Sequence, residues 1–311
     1  MILGQAAAQG FSPERCSDIG IALTEAGTNL LKHGGGGEVL LRIIPTGIEL
    51  LVVDKGSGRD NIEECMRDGY TTSGSSGTGL GAMKRLASNF DIYSRSQQGT
   101  LVMMDFSIND QATDNSGAVS LAVEGEILCG DGWDIIRQSD RTLLLIADGL
   151  GHGPDAHRAA VEASRVFHEN QQRSPGAILE AIHLALRSTR GAAVTVAAID
   201  TLRNVVHAAG VGNCCVTVLR PGYRRSLISM NGTAGEGVVK AKEFSNPWEP
   251  NDTLLMHSDG LLTRWDVEKY PGLLHRHPSL LAGALYRDFA RGRDDLTVVA
   301  VRMGNSAGMS R

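Results

Sequence analysis

The stretch Thr142-Leu143-Leu144-Leu145-Ile146-Ala147-Asp148-Gly149-Leu150-Gly151-His152-Gly153 decides the reading of the larger half of the chain. Its apolar run is bounded by turn residues, the pattern of a buried strand. Pro154 then opens a helical pattern that continues to Glu169. Asp148 therefore stands at a strand end, at the mouth of a helix, where a carboxylate costs stability unless something neutralises it. Three other acidic sites share this setting: Gly130-Asp131-Gly132, Ser258-Asp259-Gly260 and Arg293-Asp294-Asp295-Leu296-Thr297. One Asp-Gly pair is ordinary turn chemistry. Several separated carboxylates at strand ends, with no ligand-spaced histidine pairs, suit a hard divalent cation held by oxygen, magnesium or manganese rather than zinc.

Around these sites the second half alternates strands and helices. Strands are expected at Thr142–Ala147, Ala193–Ile199, Val205–Ala209, Cys214–Leu219, Thr253–His257 and Leu296–Val301, with helices at Pro154–Glu169, Ser174–Ser188 and Pro278–Arg291. Many strands with a few inserted helices indicate an α+β sandwich. Ala193-Val194-Thr195 and Gly210-Val211-Gly212-Asn213 each read as opening a strand. Upstream, the polar segment between Phe106 and Val119 has linker composition. Two domains are expected, 1–108 and 119–311, joined by residues 109–118.

In the first half, Ser12 caps a helix with Pro13 at its first turn, and Ile19, Ala22, Leu23, Ala26, Leu30 and Leu31 keep helical spacing until the helix stops at Gly34. Glu38–Ile44 and Ile48–Val53 read as a hairpin around Pro45-Thr46-Gly47. A helix near Leu80–Ser88 and strands near Asp91–Arg95 and Leu101–Phe106 complete a helix-plus-antiparallel-sheet unit. Glu25 and Asn29, four apart, share one helix face. Asp54-Lys55-Gly56-Ser57-Gly58 follows a strand. Gly74-Ser75-Ser76-Gly77-Thr78-Gly79-Leu80-Gly81 runs into a helix, whose free amides suit phosphate. No Gly-Lys-Ser/Thr closes that loop and no βαβ unit surrounds it, which excludes a Walker A motif and a Rossmann fingerprint.

Composition narrows the function classes. Of 38 glycines, 12 lie between Gly34 and Gly81, so backbone freedom is concentrated where the nucleotide-like loops are. Lys plus Arg number 30 against Asp plus Glu 35, with no basic block, which argues against a broad grip on nucleic acid or an anionic membrane. No apolar run approaches a spanning length and no leader is evident at Met1, so a cytoplasmic location is expected. The cysteines (Cys16, Cys65, Cys129, Cys214, Cys215) are odd in number and lack CxxC spacing, suggesting neither a disulfide framework nor a zinc knuckle. Cys214 and Cys215 read as strand-core residues.

Taken in order, Glu25-x-x-x-Asn29, Asp54-x-Gly56-x-Gly58 and Gly77-Thr78-Gly79-Leu80-Gly81 resemble the N, G1 and G2 boxes of the GHKL ATPase superfamily over roughly residues 11–108. The short lid between Asp60 and Gly77 is similar to the RsbT/RsbW-like branch of anti-sigma factors and switch serine kinases. That resemblance implies a two-layer α/β (Bergerat) ATP-binding sandwich, Glu25 as the base activating the attacking hydroxyl, Asn29 as the magnesium ligand and Asp54 reading the adenine amino group. Gly56 and Gly58 let backbone approach the nucleotide, and Gly77, Thr78, Gly79 and Gly81 line its phosphates. The branch carries a strand and most of a helix ahead of the position of Phe11, so the first strand is expected to be missing here. Lys32 and His33, one turn past Asn29, have two readings, phosphate contact or a solvated helix end.

The four acidic sites resemble the metal-dependent PPM serine/threonine phosphatases in their SpoIIE/RsbX-like branch, over roughly residues 117–303. This implies an α/β/β/α sandwich and a two-metal centre built from Asp131, Asp148, the Gly149 carbonyl, Asp259 and Asp294, in which two cations lower the pKa of a shared water for in-line attack on phosphorus. Asp295 is the alternative to Asp294. His152 either protonates the leaving oxygen, binds phosphate, or shapes the turn. Arg287, Arg291 and Arg293 either bind substrate phosphate or form a solvated helix end.

The combined expectation is a bifunctional partner-switching regulator, with kinase and phosphatase acting on a STAS-domain protein and a sigma factor or other downstream regulator as a further partner. It would use ATP with Mg2+ in one domain and two Mn2+ or Mg2+ in the other. The rival expectation keeps the phosphatase and makes the first domain a nucleotide-dependent binding module without turnover.

Overall fold

The protein is described here from a computed structural model covering residues 2–44, 46–60, 79–108 and 115–303. It is a mixed α+β chain that divides into two compact units. One is Met1–Asp114 together with His275–Arg287, the other Asn115–Leu274 together with Asp288–Arg311.

The first unit begins with helices α1 (Ile2–Ala8) and α2 (Pro13–Asn29). The Ser12 hydroxyl accepts from the Arg15 amide at the α2 start, as its capping sequence predicts. The helix ends at Gly34 as expected, but its last turn, from Leu30, is π-helical, and Gly35 leaves it with φ +66°, a left-handed exit that glycine makes cheaply. Strands β1 (Glu38–Ile44) and β2 (Gly47–Val53), helix α3 (Gly79–Leu86), and strands β3 (Asn89–Ser94) and β4 (Thr100–Ser107) follow. The antiparallel sheet has the order β1-β2-β4-β3. Ile19, Ala22 and Ala26 of α2 and Met83 of α3 pack on Ile48, Leu50, Val52, Ile92, Val102 and Met104.

Every residue of β2 is buried, so the other face of this sheet is covered too. Most of helix α6 (Pro278–Phe289) belongs to the same unit, although the sequence places it in the second half. Ser279 Oγ donates to Glu49 Oε2 at 2.7 Å and the His277 amide to Asp91 Oδ2 at 2.7 Å. Arg287 Nη1 donates to the Asp54 carbonyl at 3.3 Å. At Gly283 a Cβ would stand 3.0 Å from Leu51 Cδ2, so helix and sheet approach closely there.

The second unit contains β5 (Ser116–Leu121), β6 (Asp131–Arg137), β7 (Arg141–Gly149), α4 (Pro154–Glu169), α5 (Pro175–Ala185), β8 (Ala192–Asp200), β9 (Val205–Val211), β10 (Cys215–Arg220), β11 (Tyr223–Leu227), β12 (Phe244–Pro247), β13 (Thr253–His257) and β14 (Leu296–Arg302). Two five-stranded antiparallel sheets form, β11-β10-β13-β14-β5 and β12-β9-β8-β7-β6. Between them Leu144, Ile146, Ala197 and Ile199 meet Val216, Val218, Leu254, Met256, Val299 and Val301. On the other face of the second sheet Leu143, Leu145 and Ala147 pack with Ala159, Ala163, Val166, Phe167, Ile178 and Ile182 of α4 and α5. Strand β7 is apolar at consecutive positions because both of its faces are buried.

Several details differ from the sequence expectation. Residues 116–118, read as linker, open β5, which pairs along β14; small residues carry little strand signal by themselves. Gly210 and Val211 close β9 rather than opening a strand, and Gly212-Asn213 makes the turn into β10. Strands β6, β11 and β12 were not anticipated, since their polar and apolar residues alternate weakly. Among the described residues no helix is long and apolar enough to cross a membrane.

Candidate functional site

In the second unit the acidic residues reach one end of the sandwich because each lies at or beside a strand terminus. Asp131 opens β6 and stands directly opposite Asp148 near the end of β7. Asp259 follows β13, and Asp294 and Asp295 precede β14, its antiparallel neighbour. The Ser258 amide donates to the Thr297 carbonyl at 3.0 Å, and the Thr297 amide to Ser258 Oγ at 2.9 Å, which fixes these two strand ends together.

The electrostatics are those of crowded, poorly hydrated carboxylates. Burial first, then the neighbouring acids, pushes Asp131 up to about 7 and Asp148 up to about 8. Asp131, Asp259, Asp294 and Asp295 all act on Asp148. Burial and Asp259 also raise Asp294. Asp131 is buried and neither of its carboxylate oxygens makes a full hydrogen bond among the described residues, although the Ser258 and Thr297 hydroxyls lie near enough to offset part of the upward shift. A carboxylate of this kind is costly unless a cation or a proton meets it.

The remaining acids are individually held. Asn213 Nδ2 donates to Asp259 Oδ2 at 2.8 Å, and the Asp295 amide donates to Asp294 Oδ1 at 3.0 Å. Asp295 accepts the Val123 amide on Oδ1 and the Gly130 amide on Oδ2, both at 2.8 Å, so both its oxygens are engaged in holding the loop before β6. Among the described residues no three His, Cys, Asp or Glu side chains close into a ready cage for an ion. The donor set still fits magnesium or manganese, since magnesium keeps several waters and takes only one or two carboxylates. Gly149 is required sterically: a Cβ there would stand 2.2 Å from the Ala156 carbonyl oxygen, where the first turn of α4 crosses β7.

His152 lies in the loop between β7 and α4, exposed, with Nδ1 2.7 Å from Glu126 Oε1. Sequence reasoning missed Glu126, which shares its loop with Glu124 and has no motif around it. Of the three arginines, Arg287 is buried and donates to the Asp54 carbonyl in the first unit, while Arg291 is half-buried and Arg293 exposed. Cys214 is buried and Cys215 half-buried at the start of β10.

In the first unit, Glu25 and Asn29 of α2 both face the start of α3. A Cβ at Gly79 would stand 2.7 Å from Glu25 Oε2 and 3.8 Å from Asn29 Nδ2. Asp54 follows β2, and its Oδ1 accepts the Gly56 amide at 2.8 Å and the Thr100 amide at 2.9 Å. Thr100 was not singled out in the sequence; Gly99-Thr100 opening a strand was its signal, for a Cβ at Gly99 would meet the Asp54 carbonyl oxygen at 2.2 Å. Gly56 packs on the π turn and Gly58 on the Arg95 carbonyl. Gly81 is buried in α3, Lys32 and His33 are exposed, and Gly77 and Thr78 lie outside the described residues.

These two arrangements, strand-end acids on a double sheet and an acid-amide pair facing a glycine-led helix, are those of a phosphatase unit and a kinase-like ATPase unit. Residues 138–304 match the family Stage II sporulation protein E (SpoIIE), and residues 2–106 the histidine kinase-like ATPase domain. The chain belongs to the SpoIIE family of PPM phosphatases and carries a GHKL-like ATPase domain ahead of it. It is 31% identical over 95 residues to the serine/threonine-protein kinase RsbT of Bacillus subtilis (strain 168), covering 29% of this chain and 71% of the kinase. It is 23% identical over 139 residues to the phosphoserine phosphatase RsbX of the same organism, covering 44% of this chain and 70% of the phosphatase. RsbX in complex with magnesium shares the fold, with a TM-score of 0.53 at 21% identity over 60% of this chain and 92% of RsbX. A chain solved in work on the bacterial stressosome as a modular system controlling secondary messenger signalling gives a TM-score of 0.57 at 28% identity, over 60% of this chain and 98% of its own.

Proposed function

We propose that the chain is a bifunctional partner-switching regulator. Its first unit phosphorylates a serine or threonine of a STAS-domain protein, and its second unit removes such phosphates. The observation that carries the phosphatase half is the buried carboxylate of Asp131, without a full hydrogen bond on either oxygen, standing opposite Asp148. Relatives named as a serine/threonine kinase and a phosphoserine phosphatase support the pairing of activities, and the magnesium complex of RsbX supports the cation.

In the phosphatase unit Asp131, Asp148, Asp259, Asp294 and the Gly149 carbonyl would hold two Mg2+ or Mn2+ ions, which when bound acidify a water and neutralise phosphoryl charge. Asn213 keeps Asp259 in place, and Asp295 holds the Gly130 amide just ahead of Asp131. His152 delivers a proton to the leaving serine oxygen. In the kinase unit Glu25 would take the proton of the attacking hydroxyl, Asn29 would hold magnesium through its amide oxygen, and Asp54 would accept from the adenine amino group. Gly79 lets the start of α3 approach this pair, since a Cβ there would stand 2.7 Å from Glu25 Oε2, and an acid, an amide and free helix-start amides together suit Mg-ATP. Such catalysis rests on positioning and electrostatics rather than on covalent chemistry by the protein.

The test is label transfer from γ-labelled ATP to a STAS protein, followed by manganese-dependent loss of that label. Transfer by wild type, lost in Glu25→Ala, is expected. ATP binding without transfer by wild type would leave the first unit a binding module and end the kinase half of the proposal.

A further inference from the structure

The loop from Val123 to Gly130 belongs to no regular element, yet it is fixed at both ends. The Val123 and Gly130 amides donate to the two oxygens of one buried carboxylate, Asp295. His157 of α4 adds a third tie, its Nδ1 lying 2.8 Å from the Cys129 carbonyl. Within the loop, the Glu126 amide closes a turn on the Val123 carbonyl at 3.0 Å. This framework delivers the Glu126 carboxylate to His152 Nδ1 at 2.7 Å. The carboxylate also lies against Gly153, where a Cβ would stand 2.9 Å from Glu126 Oε2, and Gly153 has φ +74°. Any side chain at 153 would displace Glu126 from the ring.

From this geometry we infer that Glu126 is a positioning residue for His152, presented by a loop that Asp295 clamps. The inference rests on the phosphatase reading above. A carboxylate on Nδ1 fixes the ring's orientation and holds a proton on that nitrogen, so that Nε2 is the nitrogen turned to substrate. In the step, the water oxygen bonds to phosphorus and the phosphorus–serine oxygen bond breaks with its electron pair on serine. The imidazolium Nε2–H gives its proton to that oxygen, and the proton lost by the water returns to the ring through solvent. A serine alkoxide is a poor leaving group and needs the proton, whereas a nitrophenolate does not.

The experiment compares kcat on a phosphoserine peptide with kcat on p-nitrophenyl phosphate in the full chain with Mn2+, for wild type, Glu126→Ala, His152→Ala and the double variant. Removing a general acid typically costs about 10²-fold or more. Glu126→Ala is expected to lower the peptide-to-aryl ratio of kcat by roughly tenfold or more, and to add little in the His152→Ala background. Equal losses on both substrates, or additive losses in the double variant, would reduce Glu126 to a structural role and overturn the inference. A second readout does not require turnover: imidazole 15N spectra of the metal-free protein at alkaline pH should show His152 protonated on Nδ1 in wild type and on Nε2 in Glu126→Ala. An Nε2–H ring in wild type would overturn the inference with the phosphatase reading intact. No hydrolysis of either substrate by wild type would instead remove the phosphatase reading itself, and with it the proton-transfer role.

Discussion

Asp131 shows what the candidate site demands of single residues. A buried carboxylate with neither oxygen fully hydrogen-bonded survives in a fold only if it is protonated or meets a cation. The sign of its pH dependence follows. With Asp131 raised to about 7 and Asp148 to about 8, their protonated forms favour the folded state. The stability they contribute is complete below the ordinary carboxylate range and is lost as pH rises through those values. The metal-free protein is therefore expected to lose Tm between about pH 5 and about pH 8. Added Mn2+ should raise Tm most at the upper end, because ligands must be deprotonated to bind. Calorimetry with and without Mn2+ checks both trends, and a metal-free Tm that climbs across that window contradicts them. The Asp-Gly sites were legible in the sequence because glycine beside a strand-end acid is a recognisable pattern. The division of labour between Asp294 and Asp295 was not: both sit in one motif, and only the amides of Val123 and Gly130, distant in sequence, distinguish them.

At the scale of elements, close crossings position the site. Helix α4 begins so near β7 that a Cβ at Gly149 would overlap the Ala156 carbonyl oxygen. Gly149→Ala should therefore cost about 1–3 kcal/mol of stability by overpacking, seen as a lowered midpoint in urea. Retention of the wild-type midpoint would mean that α4 can shift freely. Strands that are apolar throughout, such as β7 and β14, and helices with a cap or an N-terminal proline, such as α2 and α4, were readable in advance because both signals are local. Strands β5 and β12 were not, since their partners β14 and β9 supply what their own residues lack.

For the molecule as a whole, the chain crosses between its units more than once. Helix α6 comes from the C-terminal half of the sequence and covers the sheet of the first unit through Ser279, Gly283 and Arg287. Its sequence announced a helix but could not say which sheet it would cover. A fragment ending at residue 118 would lack α6, uncovering Leu51 and Leu101 and leaving buried Glu49 without the Ser279 hydroxyl. We expect that fragment to have a lower Tm than the first unit in the full chain and to aggregate on heating. A fragment as stable as the full chain would show that α6 contributes little. Within the full chain, Ser279→Ala should cost about 1.5–3 kcal/mol, the usual worth of a hydrogen bond to a charged group, with Glu49 still held by Arg42. The central claim remains the strand-end acids as a phosphatase centre. It is tested most directly by phosphate release from a phosphoserine STAS protein titrated with Mn2+, for wild type and Asp148→Asn. Release that depends on Mn2+ and falls about a hundredfold or more in the variant is predicted, the scale expected for loss of a metal-activated nucleophile. Full release by Asp148→Asn, or by wild type in excess chelator, would contradict it.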